Sequence, residues 1–387
     1  MTEQRAEDIA RFLAGLEADG YLSDPAWKQA FGAVPRHVFL PTFFLLLPDG
    51  RWQAIDASHP DYWANVYADT TLTTQLDGTV GPDPDSGPLS GIGTCSSTQP
   101  GLMALMLDAL CLSGGERVLE IGTGTGYNAA LLAHRLGSAN VASVEVDPVV
   151  ADLARHRLAV CGYRPTVIAG DGEQGWPEGG PYDRIIATVS VPAVPPAWLG
   201  QVRDGGAIVV SLWRDLGGGP LVRLEVNAGS GQGFFLAEAG GFMPVRAVNR
   251  AAAALPTAVK QTGTTRPTRH PSHVLHHPDA GLWLALRVTG VTWLGFTPDG
   301  GNEQMWLFAS DGSWAAVDDT AGQVEQYGPR EVWDEIETVF DRWCDAGSPT
   351  RDRLGLTVTD TGAHRFWLDS PDAVVWDDAS MGTRQSH

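Results

Sequence analysis

Apolar and polar residues follow three different rhythms along this chain. Residues 1–16 place apolar side chains at helical spacing among charged ones, and Asp24-Pro25-Ala26-Trp27-Lys28-Gln29-Ala30-Phe31 has a similar texture, so a helical region is predicted to about Pro41. Residues 48–94 keep no period and are dense in Gly, Pro and Asp. Such a segment is expected to drape over a site as a lid or substrate wall and not to build a sheet.

From Pro100 onward, helical and strand-like runs take turns. Helices are predicted over 101–112, 127–136 and 148–161, and short apolar strands over 117–121, 141–146, 166–169, 184–188 and 207–212. Near-continuous apolar strands alternating with helices indicate a parallel sheet covered on both faces. Runs at 221–226 and 233–238 are expected to add antiparallel strands at one edge. A Thr-, Pro- and His-rich stretch at 255–278 reads as a linker. Beyond it, strands are predicted at 282–288, 304–309 and 313–317, a helix at 329–343, and closing strands at 366–368 and 373–376. The predicted organisation is a helical region with a lid-like insertion over 1–95, an α/β core over 96–250, and a linker with a small α+β domain over 251–387.

Composition then removes several function classes. The 387 residues carry a formal net charge of −20 and little Lys, which argues against a nucleic-acid partner. The short basic run from Arg266 to His270 sits in the Pro/Thr-rich stretch. No segment approaches the roughly 20 uninterrupted apolar residues of a membrane span, and residues 1–16 lack a signal-peptide apolar block, so no membrane partner and a cytoplasmic location are expected. Cys95, Cys111, Cys161 and Cys344 show no CxxC pairing and read as reduced thiols. His270, His273, His276 and His277 have no acidic or cysteine partners at ligand spacing, so no metal is expected. Trp283, Trp293, Trp306, Trp314, Trp333, Trp343, Trp367 and Trp376 are expected to pack as core.

The chemistry concentrates in Val118-Leu119-Glu120-Ile121-Gly122-Thr123-Gly124-Thr125-Gly126-Tyr127-Asn128. It sits where a strand turns into a helix, and its glycines let the backbone pass close under a ligand. Tyr127 occupies the final glycine slot of a dinucleotide fingerprint, leaving an acidic-x-GxGxG pattern in which Glu120 can accept from a ligand ammonium group. Glu145 ends the next strand, where a carboxylate would take ribose hydroxyls, and Asp171 ends the one after, near the place of an adenine amino group. S-adenosylmethionine is the first ligand expected at such a switch point, with NAD second.

These residues and their neighbours resemble the protein-L-isoaspartate O-methyltransferase family. The likeness runs from Trp27 to Arg246. It includes Ala33-Val34-Pro35-Arg36-His37-Val38-Phe39, Thr98-Gln99-Pro100, Gly170-Asp171-Gly172-Glu173-Gln174-Gly175-Trp176, Tyr182-Asp183-Arg184-Ile185-Ile186-Ala187-Thr188 and Val194-Pro195-Pro196-Ala197-Trp198. It implies a Rossmann-like class I S-adenosylmethionine methyltransferase with a mainly parallel seven-stranded sheet, leaving S-adenosylhomocysteine as product. Thr98 stands at the family's catalytic serine, with Ser97 beside it; both are expected to act on a carboxylate, helped by backbone N–H groups at the helix start. The cofactor set implied is Ser96, Glu120, Gly122, Thr123, Gly124, Gly126, Tyr127, Asn128, Glu145, Val146, Gly170, Asp171, Gly172 and Thr188. Gln99, Tyr67, Val189, Ser190 and Val191 are expected on the substrate side. The insertion and the C-terminal extension resemble variants associated with lanthipeptide and graspetide biosynthesis. That likeness implies a cyclised precursor peptide as partner, methylated on an aspartate that then closes to aspartimide or becomes isoaspartate. Repair of isoaspartyl residues in damaged proteins is the alternative, and a non-catalytic peptide-binding module a further one.

Overall fold

Helix Glu3–Ala18 leads to Asp24, whose carboxylate accepts from the Ala26 N–H and caps helix Pro25–Ala33, with proline in its first turn. The structure is a computed structural model that describes residues 3–245, 261–297 and 303–378. The turn-rich insertion departs from expectation. It forms a four-stranded antiparallel sheet in the order Trp52–Asp56, Thr42–Leu46, Leu72–Leu76, Gly93–Ser97. Strands of five residues buried by Phe43, Phe44, Ile55, Leu72 and Leu76 are too short to dominate the Gly/Pro texture of the loops between them. The last strand ends at Ser97 and so delivers Ser96, Ser97 and Thr98 to the mouth of the next domain.

The core contains the seven strands expected. Their order is Ser230–Phe234, Leu221–Asn227, Val202–Leu212, Tyr182–Val191, Val118–Ile121, Val141–Glu145, Thr166–Ala169. The last five run parallel and the first two antiparallel. Helices Tyr127–Leu136 and Pro148–Val160 cross between the parallel strands. Leu119, Ile185, Ile186, Val209 and Val210 are 0% exposed, as strands covered on both faces require.

The sheet does not stop at seven. Strand Leu354–Val358 pairs antiparallel with Ser230–Phe234, and His364–Leu368 and Val374–Asp378 follow it to make ten strands. The C-terminal residues are therefore split between two tasks. Residues 354–378 extend the core sheet, while Thr264–Pro267, Gln323–Tyr327, Trp314–Asp318, Gln304–Ala309 and Val291–Phe296 form a separate five-stranded antiparallel sheet. One hydrophobic cluster runs from Ile185 and Leu224 through Leu284 and Trp333 to Leu356, so the two parts share a core.

Of residues 282–288, expected as a strand, 282–287 belong instead to helix Pro278–Arg287, and Val288 is its C-cap. A short apolar run fits either element, and here the capping decides: Nδ1 of His277 accepts from the Asp279 and Ala280 N–H groups, each at 3.2 Å, and Pro278 opens the first turn. The basic run is neutralised locally. Arg266, Arg269 and His270 pair with Asp334, Glu337 and Asp341, which share one face of helix Val332–Asp345. Trp283, Trp314, Trp333, Trp343, Trp367 and Trp376 are buried, and Trp293 and Trp306 are half-buried. Residues 246–260, including the start of the predicted linker, lie outside the described residues. Among the described residues, no helix is long and apolar enough to cross a membrane, and no His, Cys, Asp and Glu cluster could hold a metal.

Because Leu356 is fully buried in the shared core, Leu356→Ala is expected to cost about 3 kcal/mol. Calorimetry should show one unfolding transition shifted as a whole. Two transitions with only one displaced would mean that the C-terminal strands fold apart from the core.

Candidate functional site

The parallel strands end along one edge of the sheet, and the connection order reverses between Val118–Ile121 and Tyr182–Val191. Open α/β sheets leave a crevice at such a reversal. A cavity of about 590 Å³ opens there. Strand Val118–Ile121 runs into Gly122, Gly124 and Gly126, with φ of 93°, 52° and 91°, a region costly for any residue with a Cβ. A Cβ on Gly122 would stand 2.8 Å from a Val189 methyl. The turn is thus pressed against the opposite wall, and Oγ1 of Thr188 clamps it by donating to the carbonyls of Gly122 (2.6 Å) and Ile121 (3.1 Å).

The carboxylates are placed by their own strand ends. Glu120 is 0% exposed. Its Oε2 accepts from Ser143 Oγ at 2.5 Å and its Oε1 from Asn128 Nδ2 at 2.7 Å, while Thr123 Oγ1 lies 2.6 Å from the same serine. Desolvation outweighs these hydrogen bonds and pushes the carboxyl up to about 7. Glu145 accepts from the Gly124 N–H at 2.9 Å and the Asp147 N–H at 3.1 Å, tying the glycine turn to the next strand end. Asp171 is exposed and accepts from the Glu173 N–H at 3.0 Å. Burial and the neighbouring Asp171 raise the Glu173 carboxyl above its ordinary value.

This lining selects a kind of ligand. Glu120, Glu145, Asp171 and Glu173 face the cavity, and no Lys or Arg does among the described residues. A pyrophosphate would find no counter-charge, whereas an ammonium or sulfonium would. Asn128 Oδ1 is buried without a protein partner at the same place. S-adenosylmethionine, cationic at both its ammonium and its sulfonium, fits this set better than NAD, whose pyrophosphate would lie among carboxylates.

Hydroxyl-bearing residues share the lining with the carboxylates. Thr71, Thr94, Ser96, Ser97 and Thr98 line the cavity. Ser97 is 3% exposed and its Oγ has no protein partner. The backbone N–H groups expected to assist are already engaged: Gln99 N–H donates to Thr71 Oγ1 at 3.1 Å and Gly101 N–H to Asp69 Oδ1 at 2.6 Å. The side chains of Ser97 and Thr98, which line the cavity, are the groups of this turn placed to meet a substrate.

Of the residues expected from sequence, Ser96, Ser97, Thr98, Glu120, Gly122, Thr123, Gly124, Tyr127, Asn128, Glu145, Val146, Asp171, Gly172, Thr188 and Val189 line the cavity. Gly126 and Gly170 sit just behind it. Gly126 packs on Ala154, and the Gly170 N–H donates to the Glu145 carbonyl. Ser190 and Val191 do not reach it, because the strand continues to Val191 and buries both. Ser190 instead holds a wall: its Oγ donates to the Phe242 carbonyl, and its backbone bonds Met243 and Val245. Gln99 donates to Asp69, and the Tyr67 hydroxyl lies 2.8 Å from His37 Nδ1, so neither lines the cavity. Sequence reasoning missed that wall, Gly241-Phe242-Met243-Pro244-Val245, whose sole signal is a glycine pair before an apolar-proline run. It also missed Cys95, Met103 and Glu173.

Residues 60–217 match the family model for protein-L-isoaspartate(D-aspartate) O-methyltransferase. A relative of that name from Ignicoccus hospitalis is 32% identical over 219 residues, covering 56% of this chain and 85% of its own. The chain belongs to the protein-L-isoaspartate O-methyltransferase family. A second member, from Methylorubrum populi, is 36% identical over 204 residues, covering 52% of this chain and 78% of its own. A solved structure described as a protein-L-isoaspartate O-methyltransferase aligns over 94% of this chain and 100% of its own, with a TM-score of 0.53 and 23% identity, a likeness of fold. That fold is the class I S-adenosylmethionine methyltransferase fold, and enzymes of the protein-L-isoaspartate O-methyltransferase family are protein carboxyl O-methyltransferases that use this donor.

Gly122→Ala puts a methyl group against Val189 at positive φ. It is expected to destabilise the fold by about 1–2 kcal/mol and to weaken S-adenosylhomocysteine binding at least about tenfold, measured by thermal denaturation and calorimetry.

Proposed function

We propose that this chain methylates a free carboxylate of a peptide or protein, foremost that of an L-isoaspartyl residue, with S-adenosylmethionine as donor. The observation that carries the reading is one cavity lined both by an acidic glycine cradle and by the Ser97 and Thr98 side chains. Glu120, with Asn128, would hold the ammonium end, Glu145 the ribose hydroxyls, and Asp171 the adenine side. Oε2 of Glu145 accepts from the Gly124 N–H and Oε1 from the Asp147 N–H, which fixes the carboxylate beside the glycine turn. The bound donor supplies an electrophilic methyl group on a positively charged sulfur. A carboxylate is ionised near neutral pH, so no general base is needed. The chain's own contribution is alignment and exclusion of water: Thr98 and Ser97 orient the carboxylate, while Val189 and the Phe242–Met243 wall close the space. The four cysteines form no disulfide with one another, which fits a reducing, cytoplasmic setting.

A second reading is favoured by Thr98 standing where the family has serine, a change beside the substrate carboxylate. On it, the enzyme methylates an ordinary aspartate of a cyclised ribosomal peptide, as in lanthipeptide or graspetide biosynthesis. The following amide nitrogen then attacks the ester carbonyl, and methanol leaves with the amide proton to give an aspartimide, which water opens to isoaspartate. Mass spectrometry separates the two. A gain of one methyl group on a linear isoaspartyl peptide supports the first. Methylation and loss of methanol confined to a cyclised aspartyl peptide supports the second. No transfer to any carboxyl peptide would sink both.

Thr98→Ala is expected to lower kcat/KM by about 10²-fold while leaving the S-adenosylhomocysteine Kd within about twofold, and Thr98→Ser is expected to restore most of the rate. Cofactor affinity should also depend on pH with a definite sign. Glu120 is neutral below about 7 and anionic above it, and only the anion attracts the ammonium group. Affinity is therefore present above pH 7 and lost on acidification, by about tenfold between pH 8 and pH 6. Calorimetry should show this slope in the wild type and its absence in Glu120→Gln.

A further inference from the structure

The segment from Val66 to Thr71 meets the turn that carries Thr98, and one guanidinium joins them. Arg36 is 0% exposed. Its Nη1 donates to the carbonyls of Val66 and Ala68, both at 2.9 Å, and its Nη2 to those of Thr70 (2.9 Å) and Thr98 (3.3 Å). Burial lowers the guanidinium to about 10, which still leaves it cationic at neutral pH.

A carboxylate grips the same turn from the other side. Asp69 accepts from the Gly101 N–H at 2.6 Å and from Gln99 Nε2 at 2.8 Å. Helix Pro100–Ala109 has no capping side chain of its own, so Asp69 serves as its remote cap. A Cβ on Gly101 would stand 2.7 Å from both Asp69 Oδ2 and the Tyr21 ring, so only glycine lets the carboxylate reach that N–H. The Thr98 carbonyl and the N–H groups of Gln99 and Gly101 are thereby all committed.

We infer that Arg36 and Asp69 form a clamp that sets the Thr98 hydroxyl toward the substrate carboxylate, which makes Arg36 a positioning residue for methyl transfer. The inference rests on the reading that Thr98 orients that carboxylate. Four carbonyl oxygens converge on one point at the rim of a cavity that must admit an anion. A planar guanidinium satisfies them and cancels their negative potential. An ammonium, with three donors at one nitrogen, cannot span four carbonyls. The clamp's hydrogen bonds all fall on the turn that carries Thr98 and on the segment packed against it. Toward the cradle the Arg36 guanidinium lies over the Tyr127 ring, 6.0 Å from its centroid, where Arg36→Lys keeps a cation. The substitution should therefore act on substrate turnover far more than on the cofactor.

The test compares wild type, Arg36→Lys, Asp69→Asn, Thr98→Ala and the double variants of each clamp residue with Thr98→Ala. Methyl transfer to a linear isoaspartyl peptide, or to whichever carboxyl peptide the wild type methylates, is read beside S-adenosylhomocysteine binding. Arg36→Lys is expected to lower kcat/KM about tenfold or more, with the Kd for S-adenosylhomocysteine within about twofold. In the Thr98→Ala background that loss should shrink below about twofold, because the clamp acts through Thr98. Losses that multiply independently, an unaffected kcat/KM, or a parallel loss of S-adenosylhomocysteine binding would each overturn the clamp. Should Arg36→Lys fail to fold, Asp69→Asn decides by the same two criteria. A wild type inert toward every carboxyl peptide would overturn the functional reading and the clamp with it, whereas wild-type turnover with an unaffected Arg36→Lys overturns the clamp alone.

Discussion

The site depends on a carboxylate buried at the end of the central strand. Glu120 is removed from water and bonded to a serine and an asparagine, and no cation pairs with it among the described residues. Burying an acid without a counter-charge is costly, and the fold meets part of that cost with two hydrogen bonds and leaves the rest as a raised affinity for the proton. A cationic ligand can take the proton's place. The glycine turn, the Thr188 clamp and the Glu145 tie all hold the backbone so that the ligand can come close to this group.

Around that charge the cavity lining combines carboxylates with neutral hydroxyls and holds no Lys or Arg among the described residues. On the proposed reading, an anionic substrate would meet no Lys or Arg among the described lining residues, and the sulfonium of the bound donor would supply the missing positive charge.

The ten-stranded sheet supports this arrangement at a distance. Strands 354–378 cover what would be an open edge at Ser230–Phe234, and Arg351 donates to the carbonyls of Leu236 and Gly219. His364 accepts from the Val194 N–H, just beyond the strand that bears Thr188 and Val189. The C-terminal extension thus braces the wall of the cavity from behind, and the alignment of a solved family structure over 94% of this chain shows that the extended fold is not peculiar to it.

Much of the cradle was legible because it is local. An acidic-x-GxGxG turn and acids at successive strand ends need only a strand-helix alternation to be brought together, so Glu120, Glu145, Asp171 and the seven core strands could be read in order. What depended on distant packing could not. The four-stranded sheet hid in five-residue strands between long turns, and helix Pro278–Arg287 passed for a strand until His277 was seen to cap it. Ser190 and Val191 looked like substrate contacts because they follow Thr188, yet the strand runs three residues further, to Val191, and buries them. The Gly241–Val245 wall and the Arg36–Asp69 clamp join segments 30 or more residues apart. By itself the sequence determined the cradle, its cationic preference and the class of fold, since these follow from residue types at short fixed spacing. Only the tertiary structure decided which groups face the substrate, because that is set by which carbonyls and N–H groups remain unengaged after the chain has packed.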